Sequence, residues 1–253
     1  MSDQRPQQDT LIDFGFRDVP VDEKQDLVKA VFGSVAGSYD VMNDLMSLGI
    51  HRLWKDTLID WMAPRPGQSL IDLAGGTGDV ALRFLKAGGG SVKIIDINTD
   101  MLAAGQKRDD LKHYADQLEW IEGNAESLPA EDASVDRVTI AFGLRNVTDR
   151  MAALKDCLRV LKPGGRFCCL EFSHVENALF SHIYDGWSFG VLPQIGGMVA
   201  GDKPAYQYLV ESIRKFPTQD ALVQMMQEAG FAQIRYKNLT GGIAAIHSGW
   251  KLD

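Results

Sequence analysis

Between Gln68 and Phe172 short apolar runs alternate with helical periodicity, a rhythm that few folds satisfy. The apolar runs fall at 69–74, 91–97, 118–123, 135–142 and 166–172, and helical patterns start near 78, near 99 and over 149–161. Strands that are apolar almost throughout must be covered on both faces. The pattern therefore predicts an α/β protein with a parallel sheet between layers of helices. A helix from Thr218 to Glu228 and two closing runs, Gln233 to Leu239 and Ile243 to Trp250, complete the sequence.

Ahead of this alternation stand two amphipathic helices. Leu27, Val31 and Val35, with Val28 and Phe32 beside them, form one stripe. Ile50, Leu53, Trp54, Leu58, Trp61 and Met62 form the other, which stops before Pro64 and Pro66. Residues 1–24 read as a flexible terminus, and 25–253 as a single domain with a helical lid at 25–63 and an insertion at 174–217. A chain of 253 residues, 45% apolar and 24% charged, suffices for one such domain.

Charge and cysteine content exclude several classes. A net charge of −8 without a basic block disfavours nucleic-acid partners. Cys157, Cys168 and Cys169 have neither disulfide-framework nor metal-site spacing, which suits a reducing cytoplasm. His174, His182 and His247 show no pairing that demands a metal, and none is expected. The polar N-terminus is unlike a signal peptide. The uncharged run from Gly186 to Gly201 is broken by Pro193 and Gly196-Gly197 and falls short of the ~20 residues of a membrane span.

The first strand ends in Ile71-Asp72-Leu73-Ala74-Gly75-Gly76-Thr77-Gly78-Asp79, and Asp96 closes the next. Glycines admit a ligand close to the backbone, and an acid one strand later can accept both hydroxyls of a ribose. Gly76-x-Gly78-x-x-Ala81 also fits a dinucleotide fingerprint. Asp72 within the strand, and Gly123-Asn124-Ala125-Glu126 after the third strand, instead favour an adenosine with an amino-acid tail, S-adenosylmethionine. For the glycines and Thr77 the alternative is a ligand-free turn; for Asn124 it is a turn-forming side chain.

Three longer segments narrow the chemistry: Tyr39-Asp40-Val41-Met42-Asn43 with Ser47, His51 and Trp54; Phe142-Gly143-Leu144-Arg145-Asn146-Val147; and Arg159 to Gly165 continuing to Leu170-Glu171-Phe172-Ser173. From about Val31 to Lys251 the chain resembles the ubiquinone/menaquinone biosynthesis C-methyltransferases, among the class I S-adenosylmethionine-dependent methyltransferases. The resemblance implies a Rossmann-like fold, a mostly parallel seven-stranded sheet with helices on both faces, an amino-terminal helical cover and an insertion after the fifth strand of the sheet. It places the cofactor on Thr77, Asp96, Asn124 and Ala125, with Gly75 of the glycine turn letting it come close to the backbone. Ala141 stands where some members carry serine, so no side-chain hydroxyl acts there.

The implied reaction is methylation of a ring carbon of a polyprenyl benzoquinol or demethylmenaquinol. Loss of a ring hydroxyl proton, whose ordinary pKa is near the ~10 of a phenol, activates the neighbouring carbon. Arg145, just past the fourth strand, is expected in the crevice, stabilising the quinolate or ordering a water. A salt bridge to Asp149 or Glu171 is its alternative. Tyr39, with Asp40 and Asn43, is the second catalytic candidate, on a lid without a part in nucleotide binding; Tyr39 could bond a ring oxygen or pack in the core. His51 reads equally as a satisfied structural histidine. The apolar run from Gly186 to Gly201, with Trp187 and Phe189, is expected to meet the isoprenoid tail and the inner membrane face, a subunit contact being the competing explanation. A methyltransferase for another aromatic or lipid substrate and a non-catalytic scaffold of a quinone-synthesis complex are the other functions considered.

Overall fold

The computed structural model describes residues 11–35, 44, 47, 49–175 and 203–253, and the side chains of Phe32, Ser34, Val35 and Lys203 lie outside that description. Strands β3 (Ser69–Leu73), β4 (Ser91–Asp96), β5 (Leu118–Glu122), β6 (Val135–Ala141), β7 (Leu161–Phe172), β8 (Ala232–Leu239) and β9 (Ala244–Trp250) form one sheet in the order β5-β4-β3-β6-β7-β9-β8. The first five are parallel, and β9 runs antiparallel between β7 and β8. Strand order reverses at β3, where β4 and β6 flank it on opposite sides. In open parallel sheets that reversal opens a crevice at the carboxyl ends of the strands.

Both faces of the sheet are buried along its central strands, as the continuous apolar runs require, while the edge strands β5 and β8 are partly exposed. Leu70, Ile94 and Cys168 pack in the core on one face, and their neighbours Ile71, Ile95 and Cys169 in the core on the other. The adjacent cysteines thus point to opposite layers, and all three cysteines are free. Helix α3 (Asp79–Lys86) fills the first layer with Val80, Ala81, Phe84 and Leu85, beside Trp54, Leu58 and Met62 of α2 (His51–Met62). Helices α4 (Thr99–Gln106), α5 (Arg150–Val160) and α7 (Gln219–Ala229) complete the sandwich, each capped by a side chain: Asn98, Asp149 and Thr218.

The seven strands lie where the sequence reading puts them, apart from the start of β7. That strand begins at Leu161, which pairs with Val135, and the ladder resumes at Arg166 opposite Arg137. Lys162-Pro163-Gly164-Gly165 bulges out between the two pairs, hiding the first one from a search for alternation. On α2, Leu53 is 64% exposed, so the buried stripe runs through His51, Trp54, Lys55, Leu58 and Ile59 instead.

The larger correction lies at 11–20, within the segment expected to be flexible. Strands β1 (Leu11–Phe14) and β2 (Arg17–Pro20) pair as a hairpin ahead of α1 (Val21–Val35). Phe14 is buried, stacked on Tyr208 of α6 (Lys203–Lys215) with ring centroids 4.2 Å apart. The Phe16 N–H donates to Glu211 Oε2 at 2.9 Å. A polar composition conceals this because one aromatic does most of the anchoring. Among the described residues no helix is long and apolar enough to cross a membrane.

Candidate active site

The crevice opens where β3, β4, β5 and β6 end, and the chain turns sharply at each lip. After β3, Gly76 (φ 54°) and Gly78 (φ 79°) adopt left-handed conformations that cost glycine little. Ala74 (φ 50°) and Phe142 (φ 58°) adopt them without that freedom, one at the end of β3 and the other at the end of β6. Backbone strain of this kind, of order 1–3 kcal/mol per residue, concentrates where a site fixes its own geometry. Both residues line the crevice.

Asp96 is held from two sides. Its Oδ2 accepts the Gly76 N–H at 2.9 Å and its Oδ1 the Asn98 N–H at 2.8 Å. Burial raises its pKa above the usual carboxylate range, and the N–H groups of Asn98, Gly76 and Ile97 work against that rise. The glycine turn and the ribose candidate are therefore one hydrogen-bonded unit. After β5, Asn124 Oδ1 accepts the Glu126 N–H at 2.9 Å, the turn-forming role foreseen as its alternative. This leaves the side-chain NH2 as the group that Asn124 can offer a ligand.

Asp72 is the most unusual group in the crevice. It is 1% exposed, its Oδ2 accepts the Ala81 N–H at 3.1 Å, and its Oδ1 has no hydrogen-bond partner. Burial pushes its pKa up to about 7, against the Ala81 N–H and the charge of Lys55. A buried carboxylate oxygen without a partner is costly, and a cationic ligand group would satisfy it. The residues present thus fit a cofactor whose amino-acid tail carries an ammonium.

Close by, Lys55 Nζ donates to Asp79 Oδ2 at 2.8 Å. Burial opposes the ionisation of Asp79, but the charge and hydrogen bond of Lys55, with the charges of Arg83 and Arg108, outweigh it and hold the pKa below the usual range. Gln25, Val28 and Lys29 of α1 also line the crevice. The helical cover therefore borders the crevice, as a lid over it would. Lys55 fits a plain helical pattern and has no sequence signal beyond its place beside Trp54, whereas Asp79 stands in the glycine segment itself, directly after Gly78.

Gly75, Thr77, Asp96, Asn124 and Ala125 all line this one crevice, as does Ala141. Arg145 does not. Its side chain is fully buried, with Nη1 2.8 Å from Glu171 Oε1 and also donating to the Phe142 carbonyl. The expected reach into the crevice gives way to the salt bridge named as the alternative, because two buried charges at neighbouring strand ends satisfy each other. Its neighbour Asn146 lines the crevice and accepts the Tyr208 hydroxyl at 3.1 Å. Tyr39, Asp40, Asn43 and the run from Gly186 to Gly201 lie outside the described residues. His51 Nδ1 sits 3.0 Å from Ser47 Oγ, and burial, reinforced by the charge of Lys55, lowers its pKa to about 4. It is a neutral structural histidine.

Comparison with known proteins gives this geometry its context. Residues 19–251 match the model of the ubiE/COQ5 methyltransferase family. The ubiquinone/menaquinone biosynthesis C-methyltransferase UbiE of Brucella anthropi is 56% identical over 243 residues, covering 94% of this chain and 92% of the relative. That of Acidiphilium cryptum is 56% identical over 241 residues, covering 95% and 97%. Among solved structures, a SAM-dependent methyltransferase of Thermotoga maritima shares the fold, with a TM-score of 0.62 at 19% identity over 88% of this chain and 98% of its own. Phosphoethanolamine N-methyltransferase 2 of Haemonchus contortus, solved with S-adenosyl-L-methionine, has a TM-score of 0.59 at 15% identity over 79% and 52%. The expected class I fold is thus the observed one, and the chain belongs to the ubiE/COQ5 methyltransferase family.

Proposed function

We infer that the crevice takes S-adenosylmethionine and that the chain methylates a ring carbon of a polyprenyl quinol, the reaction of ubiquinone/menaquinone biosynthesis C-methyltransferases. The observation that carries this is the convergence of Asp72, Thr77, Asp96 and Asn124 on one crevice at the topological switch of the sheet, in a chain 56% identical to enzymes of that name. The cofactor supplies an electrophilic methyl group on a sulfonium. Asp96 accepts the ribose hydroxyls, Asn124 and the Ala125 N–H meet the adenine, and Gly75 with Thr77 admits and bonds the methionine portion.

The acceptor ring is held beyond the end of β6, where Ala141, Phe142, Gly143 and Asn146 border the crevice. Asn146, oriented by Tyr208, is the polar group in position to bond a ring oxygen. For Arg145 the proposed role is to stabilise the quinolate or the water that takes its proton. Nε and Nη2 have no hydrogen-bond partner but are buried beside the Glu171 pair, so this role requires the turn after β6 to open toward the crevice when the ring binds. Arg145→Lys keeps the charge and loses the fork, so near-normal turnover would reduce Arg145 to a support of the Phe142–Asn146 turn. Tyr39 is proposed from the sequence to bond a ring oxygen, and Tyr39→Phe removes only that hydroxyl.

The deciding experiment is transfer of a labelled methyl group to reduced demethylmenaquinol and to the corresponding benzoquinol. Label in the quinol carbon skeleton is the expected result; binding of the cofactor with no transfer to either ring would make the chain a scaffold. The insertion is proposed to meet the bilayer that holds the prenyl tail. A Trp187→Asp, Phe189→Asp double variant should then lose flotation with liposomes; retained flotation with loss of self-association would reassign those residues to a subunit contact.

A further inference from the structure

The cofactor reading above is the basis for one further assignment. The amino-acid tail of S-adenosylmethionine carries a carboxylate as well as an ammonium, and both must be accommodated over the end of β3. Asp72 offers its orphaned oxygen to the ammonium. The carboxylate would enter a space already lined by Asp72 and Asp79, and like charges at that range repel unless a cation stands with them. Lys55 is placed to be that cation.

Lys55 lines the crevice from α2, is 5% exposed, and commits one donor to Asp79 at 2.8 Å. An ammonium has three donors, so two remain for a ligand. The bond to Asp79 fixes the Lys55 ammonium between α2 and α3. Lys29, the other lysine of the lining, comes from α1 and is only partly buried. We propose that Lys55 binds the α-carboxylate of the cofactor and thereby selects an adenosine that carries an intact amino-acid tail. The competing role is purely structural, a tie between α2 and α3 through Asp79.

Calorimetric titration with S-adenosylhomocysteine and its decarboxylated analogue separates the two, since these ligands differ only in the carboxylate. Wild-type protein is expected to prefer S-adenosylhomocysteine by about ten- to a hundredfold, the range of a charge-assisted hydrogen bond. In Lys55→Met that preference should collapse to within about threefold while the decarboxylated ligand binds nearly as before, a coupling that a structural tie cannot produce. Equal affinity of the wild type for both ligands overturns the assignment without any variant, and so does a Lys55→Met chain that keeps the preference or weakens both ligands alike. If the wild type binds neither nucleoside, the cofactor reading itself falls.

Discussion

Glu171 and Asp72 are buried carboxylates at the ends of strands two apart in one sheet, yet the first is closed by partners and the second is left open. Glu171 Oε1 accepts from Arg145 Nη1 and from its neighbour's N–H, and Oε2 accepts the Arg145 N–H at 3.3 Å. Asp72 has one N–H on one oxygen and nothing on the other. The difference separates polar groups that folding consumes from those that folding reserves. The closed group holds the turn after β6 in shape, and the open one, at the turn after β3, is the group proposed to meet a ligand.

The largest effect should come from opening the closed pair. Arg145→Met leaves Glu171 charged, buried and unpaired, which should cost about 3–5 kcal/mol in urea unfolding. A smaller loss for Arg145→Met with Glu171→Leu would identify the uncompensated charge as the cause; equal losses would show that packing matters more. Next comes Asp72→Asn, which neutralises the open group. The folded Asp72 binds its proton more tightly than the unfolded one, with a pKa of about 7 against the ordinary 3.8. Its contribution therefore lowers stability as pH rises from about 4 to about 7. Ligand-free Asp72→Asn should be more stable than wild type at pH 8 by on the order of 2 kcal/mol, yet bind S-adenosylhomocysteine more weakly. With Lys55, Asp79 and Asp96 around it, wild-type affinity should rise as pH increases through 7, and the variant should lose that rise.

His51 provides a slope of opposite sign. Its folded pKa near 4 lies below the ordinary 6.5, so the unfolded chain binds the proton first and stability falls as pH drops from 6.5 towards 4. His247 shares the window with a pKa of about 4, so His51→Gln should flatten only part of the slope in thermal unfolding at pH 5. The smallest effect is expected at Lys93 and Glu119, 3.5 Å apart and both exposed, where Glu119→Gln should change stability by less than about 0.5 kcal/mol.

The core of this comparison was legible in the sequence because a parallel sheet writes itself twice. Ile94-Ile95 and Cys168-Cys169 must be apolar on both faces, and Gly75, Thr77, Asp96 and Asn124 meet because the ends of adjacent parallel strands meet. Lys55 was illegible: a lysine on a helical stripe reads as solvated until the helix is docked, and only the packing of α2 against α3 carries it into the crevice. An acid such as Asp149 or Glu171 is legible as a partner for Arg145, but which one it meets depends on the register of β7 beside β6. The β1–β2 hairpin left no periodic trace, since two strands of four residues hold one buried aromatic and depend on a helix far along the chain.

That dependence has a consequence for the order of events during synthesis. Phe16 leaves the ribosome 195 residues before Glu211, its hydrogen-bond partner. At ~5–20 residues per second the hairpin stays without its docking surface for roughly 10–40 s. Through that interval Phe14, buried in the folded protein, is exposed to whatever else is in the cell, so slowed elongation between β2 and α6 should increase capture of nascent chains by chaperones even though the finished protein is unchanged.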